Sequence, residues 1–262
     1  MDISLKNKVA VVCGSTQGIG RACAEEIAGL GAEVILMARN EEELKKAVLQ
    51  LPKNEGRDHS YVVADFSDPA NVKSAIEGLM KTNKQINILI NNTGGPAGGP
   101  IAEAEEFEFL NAFNQHLICN HILAKTLLPA MINSGYGRIV NIISTSVKQP
   151  IKGLGVSNTI RAAVANWSKT LSLEVGKYGI TVNNVLPGFT ETQRATYIIE
   201  NRAKKQGKSE DEILSDLVSE IPLGRMAKPQ EIATAVAFLC SPAAAYISGI
   251  NVPVDGGRTA CL

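Results

Sequence analysis

Charge of one sign is missing from this chain: 26 Lys and Arg are matched by 26 Asp and Glu, for a formal net charge of zero. No overall field draws it to nucleic acid or to an anionic membrane, so neither is an expected partner. Paired cysteines are missing too. Cys13, Cys23, Cys119, Cys240 and Cys261 form no Cys-x-x-Cys, which argues against a zinc site or a disulfide framework and fits free thiols in a reducing compartment. His59, His116 and His121 share no metal-ligand spacing, so no structural or catalytic metal is expected. Long apolar runs are absent: Ile232–Cys240 is too short to span a bilayer and contains Thr234. Residues Met1 to Val9 carry Asp2, Lys6, Asn7 and Lys8 with no apolar stretch after a basic start, so no secretory signal is expected. A cytoplasmic location follows as the expectation.

What is present is an ordinary globular balance, 262 residues with 45% hydrophobic and 20% charged, enough to fill the core of one α/β domain over 1–262. Short apolar runs alternate with helical patterns. Strands are expected at Lys8–Cys13, Glu33–Ala38, Tyr61–Ala64, Ile86–Ile90, Gly137–Ile143 and Thr181–Leu186. Ala24, Ile27 and Ala28 recur at helical spacing within Arg21–Leu30, and Gly31 stops that helix. Near-continuous Val/Ile/Leu strands separated by helices predict a Rossmann-like, doubly wound parallel sheet with helices on both faces. The polar stretch from Gln193 to Glu220 departs from this rhythm. It reads either as a substrate lid, at about 190–222, or as a solvated helical surface.

After the first strand comes Gly14-Ser15-Thr16-Gln17-Gly18-Ile19-Gly20, opening directly into a helix. Glycines there allow a tight turn and close approach of a pyrophosphate to the helix N-terminus, where free N–H groups and the helix dipole favour negative charge. The spacing is Gly-x-x-x-Gly-x-Gly. Between the first strand and the first helix, it predicts a dinucleotide site.

That turn resembles the one in short-chain dehydrogenases/reductases, and further motifs follow in the family's order. Asp65, with Phe66, resembles the acidic position that touches adenine. Asn91-Asn92-Thr93-Gly94 is similar to Asn-Asn-Ala-Gly after the fourth strand. Gly137-Arg-Ile-Val-Asn-Ile-Ile-Ser144 resembles the fifth strand and its catalytic serine. Pro187-Gly188 with Thr190 and Thr192 resembles the turn that meets the nicotinamide and phosphates. Ala245–Gly249 and Val254–Gly257 resemble the C-terminal strand region. The resemblance runs from about Leu5 to Gly257, with 3-oxoacyl-(acyl-carrier-protein) reductases as the nearest members in kind. It implies an oxidoreductase acting on a carbonyl or alcohol, including a small-molecule or acyl-thioester substrate.

The family's chemistry rests on an asparagine, a serine, a tyrosine, and a lysine four residues after the tyrosine. Ser144 matches the serine. Ser157 stands at the tyrosine position, Arg161 at the lysine position and His116 at the asparagine position. A phenol titrates near pKa ~10 and can be lowered by a cation, whereas an alkanol is a far weaker acid. Ser157 is therefore not expected to be the acid. Arg161 is expected to hold the nicotinamide ribose, and also offers a fixed fork of donors that lysine lacks. A proton must then come from His116, Lys148 or a bound water. His116 is the best placed by its ordinary pKa, against the alternative of a packed helix histidine. Lys148 reads equally as a solvated loop lysine. If none serves, the chain is a cofactor-binding sensor or partner protein without turnover.

The second strand ends Met37-Ala38-Arg39-Asn40. Ala38 leaves room where an acidic residue would hold a ribose 2′-hydroxyl, and Arg39 supplies a cation for a 2′-phosphate, so NADP(H) is expected over NAD(H), with NAD(H) possible. In the helix from Ser157 to Val175, Ile160, Val164, Trp167 and Leu171 form a stripe facing the sheet. Ala162, Ala163 and Ala165 lie off it, open to a partner helix. The family resemblance implies a homo-oligomer, a tetramer, through this helix and its predecessor.

Overall fold

Strands buried on both faces need side chains that are apolar in both directions, and the first strand shows this residue by residue. In β1 (Val9–Cys13), Ala10 and Val12 join the core on one side of the sheet, and Val9, Val11 and Cys13 join the core on the other. The computed structural model, which describes residues 1–53, 58–82 and 84–261, continues the pattern through β2 (Glu33–Ala38), β3 (Ser60–Val63), β4 (Ile88–Asn91), β5 (Gly137–Ile142), β6 (Ile180–Pro187) and β7 (Asn251–Val254). All pair in parallel, in the order β3-β2-β1-β4-β5-β6-β7. The chain therefore winds outward from β1 in one direction and then from β4 in the other. The crevice where the order reverses lies at the carboxyl ends of β1 and β4, the place where such sheets bind ligands.

Helices cover both faces. On one side α1 (Gly18–Gly29) and α9 (Pro229–Cys240) bury Ile27 and Ala28 together with Ile232 and Val236. On the other, α3 (Pro69–Met80) and α5 (Cys119–Ser134) bury Val72 and Ile76 with Leu123 and Leu127. Short α2 (Glu41–Gln50) starts at Asn40, whose side chain accepts from the Glu43 N–H at 3.2 Å. A helix α4 (Glu106–Phe113) runs through a π-helical stretch, Asn114–Ile118, into α5.

An asparagine ladder ties the second half of the sheet together. Asn91 on β4 donates to Asn141 on β5 at 2.8 Å, Asn141 to Asn184 on β6 at 2.9 Å, and Asn184 to Asn251 on β7 at 2.8 Å. Each is the register partner of the next. A one-residue slip at any strand would strand buried amides without partners, so the ladder fixes the register that sets the height of each strand end.

Helix α6 (Gly155–Val175) turns Val164, Trp167 and Leu171 toward the sheet-side cores as expected, whereas Ile160 packs with Val156 and with Ala112 of α4 instead. One residue expected on its outer face is elsewhere: Ala165 is buried with Ile143, Val164 and Leu186. It follows Val164 by only 100° around the helix, which leaves it under the broad apolar face rather than beside it. The polar stretch after β6 forms two helices, α7 (Gln193–Gln206) and α8 (Glu210–Ser219), packed together through Ala203, Ile213 and Leu217. Among the described residues, no helix is long and apolar enough to cross a membrane.

Candidate active site

The turn from β1 into α1 is built by glycines that nothing else can replace. Gly14 and Gly18 have φ of 57° and 56°, the left-handed region that side chains disfavour. At Gly20 a Cβ would sit 2.2 Å from the Gly14 carbonyl oxygen. The helix opens after Gln17, whose side chain makes no capping bond. The first N–H groups of α1 therefore lack intrahelical acceptors and face the crevice with the positive end of the helix dipole.

That crevice is a cavity of about 620 Å³. Thr16, Gln17, Gly18 and Ile19 line it from the turn, Arg39 from the end of β2, and Asp65 and Phe66 from the end of β3. Asn92, Thr93 and Gly94 follow β4, and Ser144 follows β5. Ser157 and Arg161 come from α6, Pro187 ends β6, and Gly188, Thr190 and Thr192 follow it. Gly14 also lines it, and Asn92 closes its floor by donating from Nδ2 to the carbonyls of Cys13 and Gly14 at 3.3 and 3.2 Å. Asp65 spends one carboxylate oxygen on the Ser67 N–H and hydroxyl, at 2.9 and 2.8 Å, bonds that lower its pKa. The cavity runs across the strand ends from Arg39, after β2, to Ser144, after β5, and Ser157 on α6.

Four residues anticipated from the sequence do not line it. Ser15 is fully buried and accepts from the Met37 N–H at 3.1 Å, so it braces β2 instead. Gly20 acts from within the turn by the close approach just described. Lys148 lies beyond Ser144 in the short 3₁₀ turn region, where its carbonyl accepts from the Cys261 thiol at 3.7 Å. His116 sits behind the wall, only 1% exposed, with Nδ1 2.6 Å from the Thr93 hydroxyl. Burial, with the nearby Arg161 charge adding to it, holds its pKa down at about 2. The expectation that this imidazole titrates near working pH is corrected by that burial: a neutral ring enclosed in the fold cannot carry a proton charge to substrate.

Arg161 is also buried, 7% exposed, and its Nη1 donates to the Ile142 carbonyl at 3.2 Å. Its pKa falls to about 10, first from desolvation and then from Arg194, so it stays cationic at neutral pH. Ser144 caps the turn after β5 and accepts from the Ser146 N–H at 3.0 Å, which leaves its hydroxyl hydrogen free to donate into the cavity. The sequence offered this stretch as a lid but singled out none of the α7 residues at the site: Gln193, Arg194, Ala195 and Ile198 all face the cavity. Thr192 begins α7 by accepting from the Ala195 N–H at 3.3 Å, and that cap aims Arg194 back across the opening. A residue at the start of a polar helix gives no motif to read. The usable signal was Thr192 itself, an N-cap residue already placed at the site.

A doubly wound sheet, a glycine turn and a cavity at the switch point define a Rossmann-like protein with its site at the strand ends. A family model described as enoyl-(acyl carrier protein) reductase matches residues 14–259. The 3-oxoacyl-[acyl-carrier-protein] reductase FabG of Pseudomonas aeruginosa is 34% identical over 257 residues, 97% of this chain and 98% of that protein. The L-sorbose reductase of Gluconobacter frateurii, solved with NADPH and L-sorbose, superposes with a TM-score of 0.93 at 33% identity, covering 100% of both chains. YwfH, an NADPH-dependent reductase involved in bacilysin biosynthesis, superposes with a TM-score of 0.92 at 27% identity, covering 97% and 99%. The chain belongs to the short-chain dehydrogenase/reductase family.

Proposed function

We propose that this protein is an NADP(H)-dependent oxidoreductase that interconverts a carbonyl and an alcohol with a rebuilt proton site. The observation that carries the reading is one continuous cavity holding both halves of such a reaction. The glycine turn and the free amides of α1 suit a diphosphate, and Arg39 beside the small Ala38 suits a ribose 2′-phosphate. At the far end Ser144 donates to a carbonyl oxygen, and Arg161 offers its remaining N–H groups to ribose hydroxyls and its charge to developing negative charge on oxygen. The cofactor, when bound, supplies a hydride to the carbonyl carbon. FabG and the two structural neighbours, reductases by name, support the same reading.

The proton is best supplied by water. Ser157 is an alkanol, His116 is walled off and neutral, and Lys148 does not reach the cavity. Ser144 and Ser157 instead hold a water at the substrate oxygen, so that hydride and a solvent proton together make the alcohol. A general acid is worth roughly 10²–10⁴ in rate, so turnover is expected to be slow compared with a tyrosine-bearing relative. The α7–α8 segment, at about 190–222, acts as the substrate lid, and the chain assembles as a homotetramer through α6 and its predecessor α5. A 3-oxoacyl thioester is the substrate class the FabG likeness favours.

The test is a binding titration with NADPH and NADH followed by a carbonyl panel monitored by loss of nicotinamide absorbance. Tighter NADPH binding with slow, saturable turnover is expected. A second reading, a cofactor-binding protein without turnover, draws on Ser157 itself, and NADPH binding with no consumption on any carbonyl would favour it.

A further inference from the structure

Four charged side chains line the cavity: Arg39, Asp65, Arg161 and Arg194. They are not evenly spread. Arg39 and Asp65 share the end that β2 and β3 form, close enough that the Arg39 charge helps lower the Asp65 pKa. Arg161 and Arg194 stand elsewhere, with no carboxylate among the residues that line the cavity around them.

Both arginines reach the same dipeptide, Gly95-Pro96. An Arg194 Nη2 donates to the Pro96 carbonyl at 2.6 Å. The Arg161 Nη2 lies 3.8 Å from where a Cβ on Gly95 would be. Arg161 is enclosed, with a single backbone acceptor at Nη1, and neither arginine takes part in any ion pair among the described residues. Arg161 is desolvated and feels the charge of the half-buried Arg194, and a buried cation so placed is costly unless an anion joins it. The cofactor's own anions already have places in the proposed function: the diphosphate at the amides of α1 and the 2′-phosphate at Arg39. The site therefore asks for a further anion.

We infer that Arg194, together with Arg161, binds an oxyanion of the substrate, so that the substrate is a carbonyl compound bearing a carboxylate rather than a neutral ketone or thioester. This rests on the reductase reading above and replaces the 3-oxoacyl thioester named there with a carbonyl acid. Arginine suits the task because its planar fork bonds both oxygens of a carboxylate at once. Arg194 is carried by α7, so a carboxylate bridging it to Arg161 would also tie the helix after β6 to α6. A neutral thioester would leave the pair without its counter-charge.

The experiment compares matched acids and methyl esters: pyruvate, acetoacetate and levulinate against their esters, with wild type and Arg194→Gln. For at least one skeleton, the acid should exceed its ester in kcat/KM by on the order of tenfold to a hundredfold, the range of a hydrogen bond to a charged group. Arg194→Gln should remove that preference, bringing the acid-to-ester ratio of kcat/KM to about one, with the NADPH Kd within about twofold. Calorimetric titration of the enzyme–NADP⁺ complex with the same acids, which needs no turnover, should show carboxylate binding in wild type and its loss in Arg194→Gln. Equal or better use of every ester overturns the inference. So does an Arg194→Gln variant that weakens NADPH and slows acid and ester alike, because the anion would then be the cofactor's diphosphate. If wild type binds the acids in the calorimeter and reduces none, the reductase reading fails while the anion site stands.

Discussion

Thr93 Oγ1 and His116 Nδ1 lie 2.6 Å apart, at two positions where the family pattern carries alanine and asparagine. The two departures are thus one structural unit. The hydroxyl lines the cavity wall, and the imidazole behind it belongs to the π-helical turn Asn114–Ile118. Its Nε2 has no partner among the described residues, and a neutral ring can keep it so at much less cost than an imidazolium.

The buried imidazole makes a prediction about stability. Its folded pKa, about 2, lies below the ordinary histidine value of 6.5. Above pH 6.5 both folded and unfolded states hold it neutral, and its full stability is present. As pH falls below 6.5 the unfolded state binds a proton that the folded state refuses, and stability is lost progressively. The loss from this one group reaches about 2 kcal/mol by pH 5. Urea unfolding of wild type and His116→Asn across pH 5–8 checks it: the variant should lose about that much less stability on acidification, and parallel curves would contradict the placement.

Ser144→Ala should lower kcat by roughly 10²–10³, the usual effect of removing one donor to a developing oxyanion. NADPH binding should stay within about twofold, because the turn amides and Arg39 are untouched. Steady-state kinetics beside a fluorescence titration separates the two effects. A variant that loses cofactor and rate together would make Ser144 a structural cap for the turn it begins.

Arg39→Ala should raise the NADPH Kd by on the order of tenfold to a hundredfold and change NADH little, since only the 2′-phosphate is lost as a partner. The side chain is exposed, so this loss involves no core rearrangement. Equal effects on the two cofactors would remove Arg39 from the phosphate site.

Gly20→Ala tests the turn at a residue that does not itself line the cavity. A Cβ there would meet the Gly14 oxygen at 2.2 Å and the Asn92 amide at 2.5 Å. The turn must open to admit it, at a cost in the range of about 1–3 kcal/mol seen for overpacking, and NADPH affinity should fall with the thermal midpoint. An unaltered midpoint with normal NADPH binding would show that the turn has slack the distances deny.

Much of this arrangement was legible beforehand for a physical reason: local pattern carries local structure. The apolar run Glu33–Ala38 is the observed β2, residue for residue, and the glycine turn announces the site because only glycine fits its φ values. The seventh strand, Asn251–Val254, falls between Ala245–Gly249 and Val254–Gly257, the two stretches family likeness gave to it, and its short run with Pro253 has no strong period of its own. Contacts between distant segments were not legible. Thr93 and His116 are 23 residues apart and Arg194 reaches Pro96 across 98. Neither separation leaves a mark in the sequence, because both depend on how the strand ends line up. The titration of His116 was misjudged for the same reason, since burial is a property of the assembled wall.

The central claim is that hydride passes to a carbonyl in this cavity although Ser157 replaces the tyrosine and Arg161 the lysine. Its most direct test uses NADPH deuterated at the transferred position, with the product alcohol weighed by mass spectrometry across the acid and ester panel. The account predicts one deuterium in the product alcohol, at a rate that Ser144→Ala reduces and that the double substitution S157Y/R161K raises. Bound NADPH with no deuterium in any product, in wild type and in the double variant alike, would contradict it.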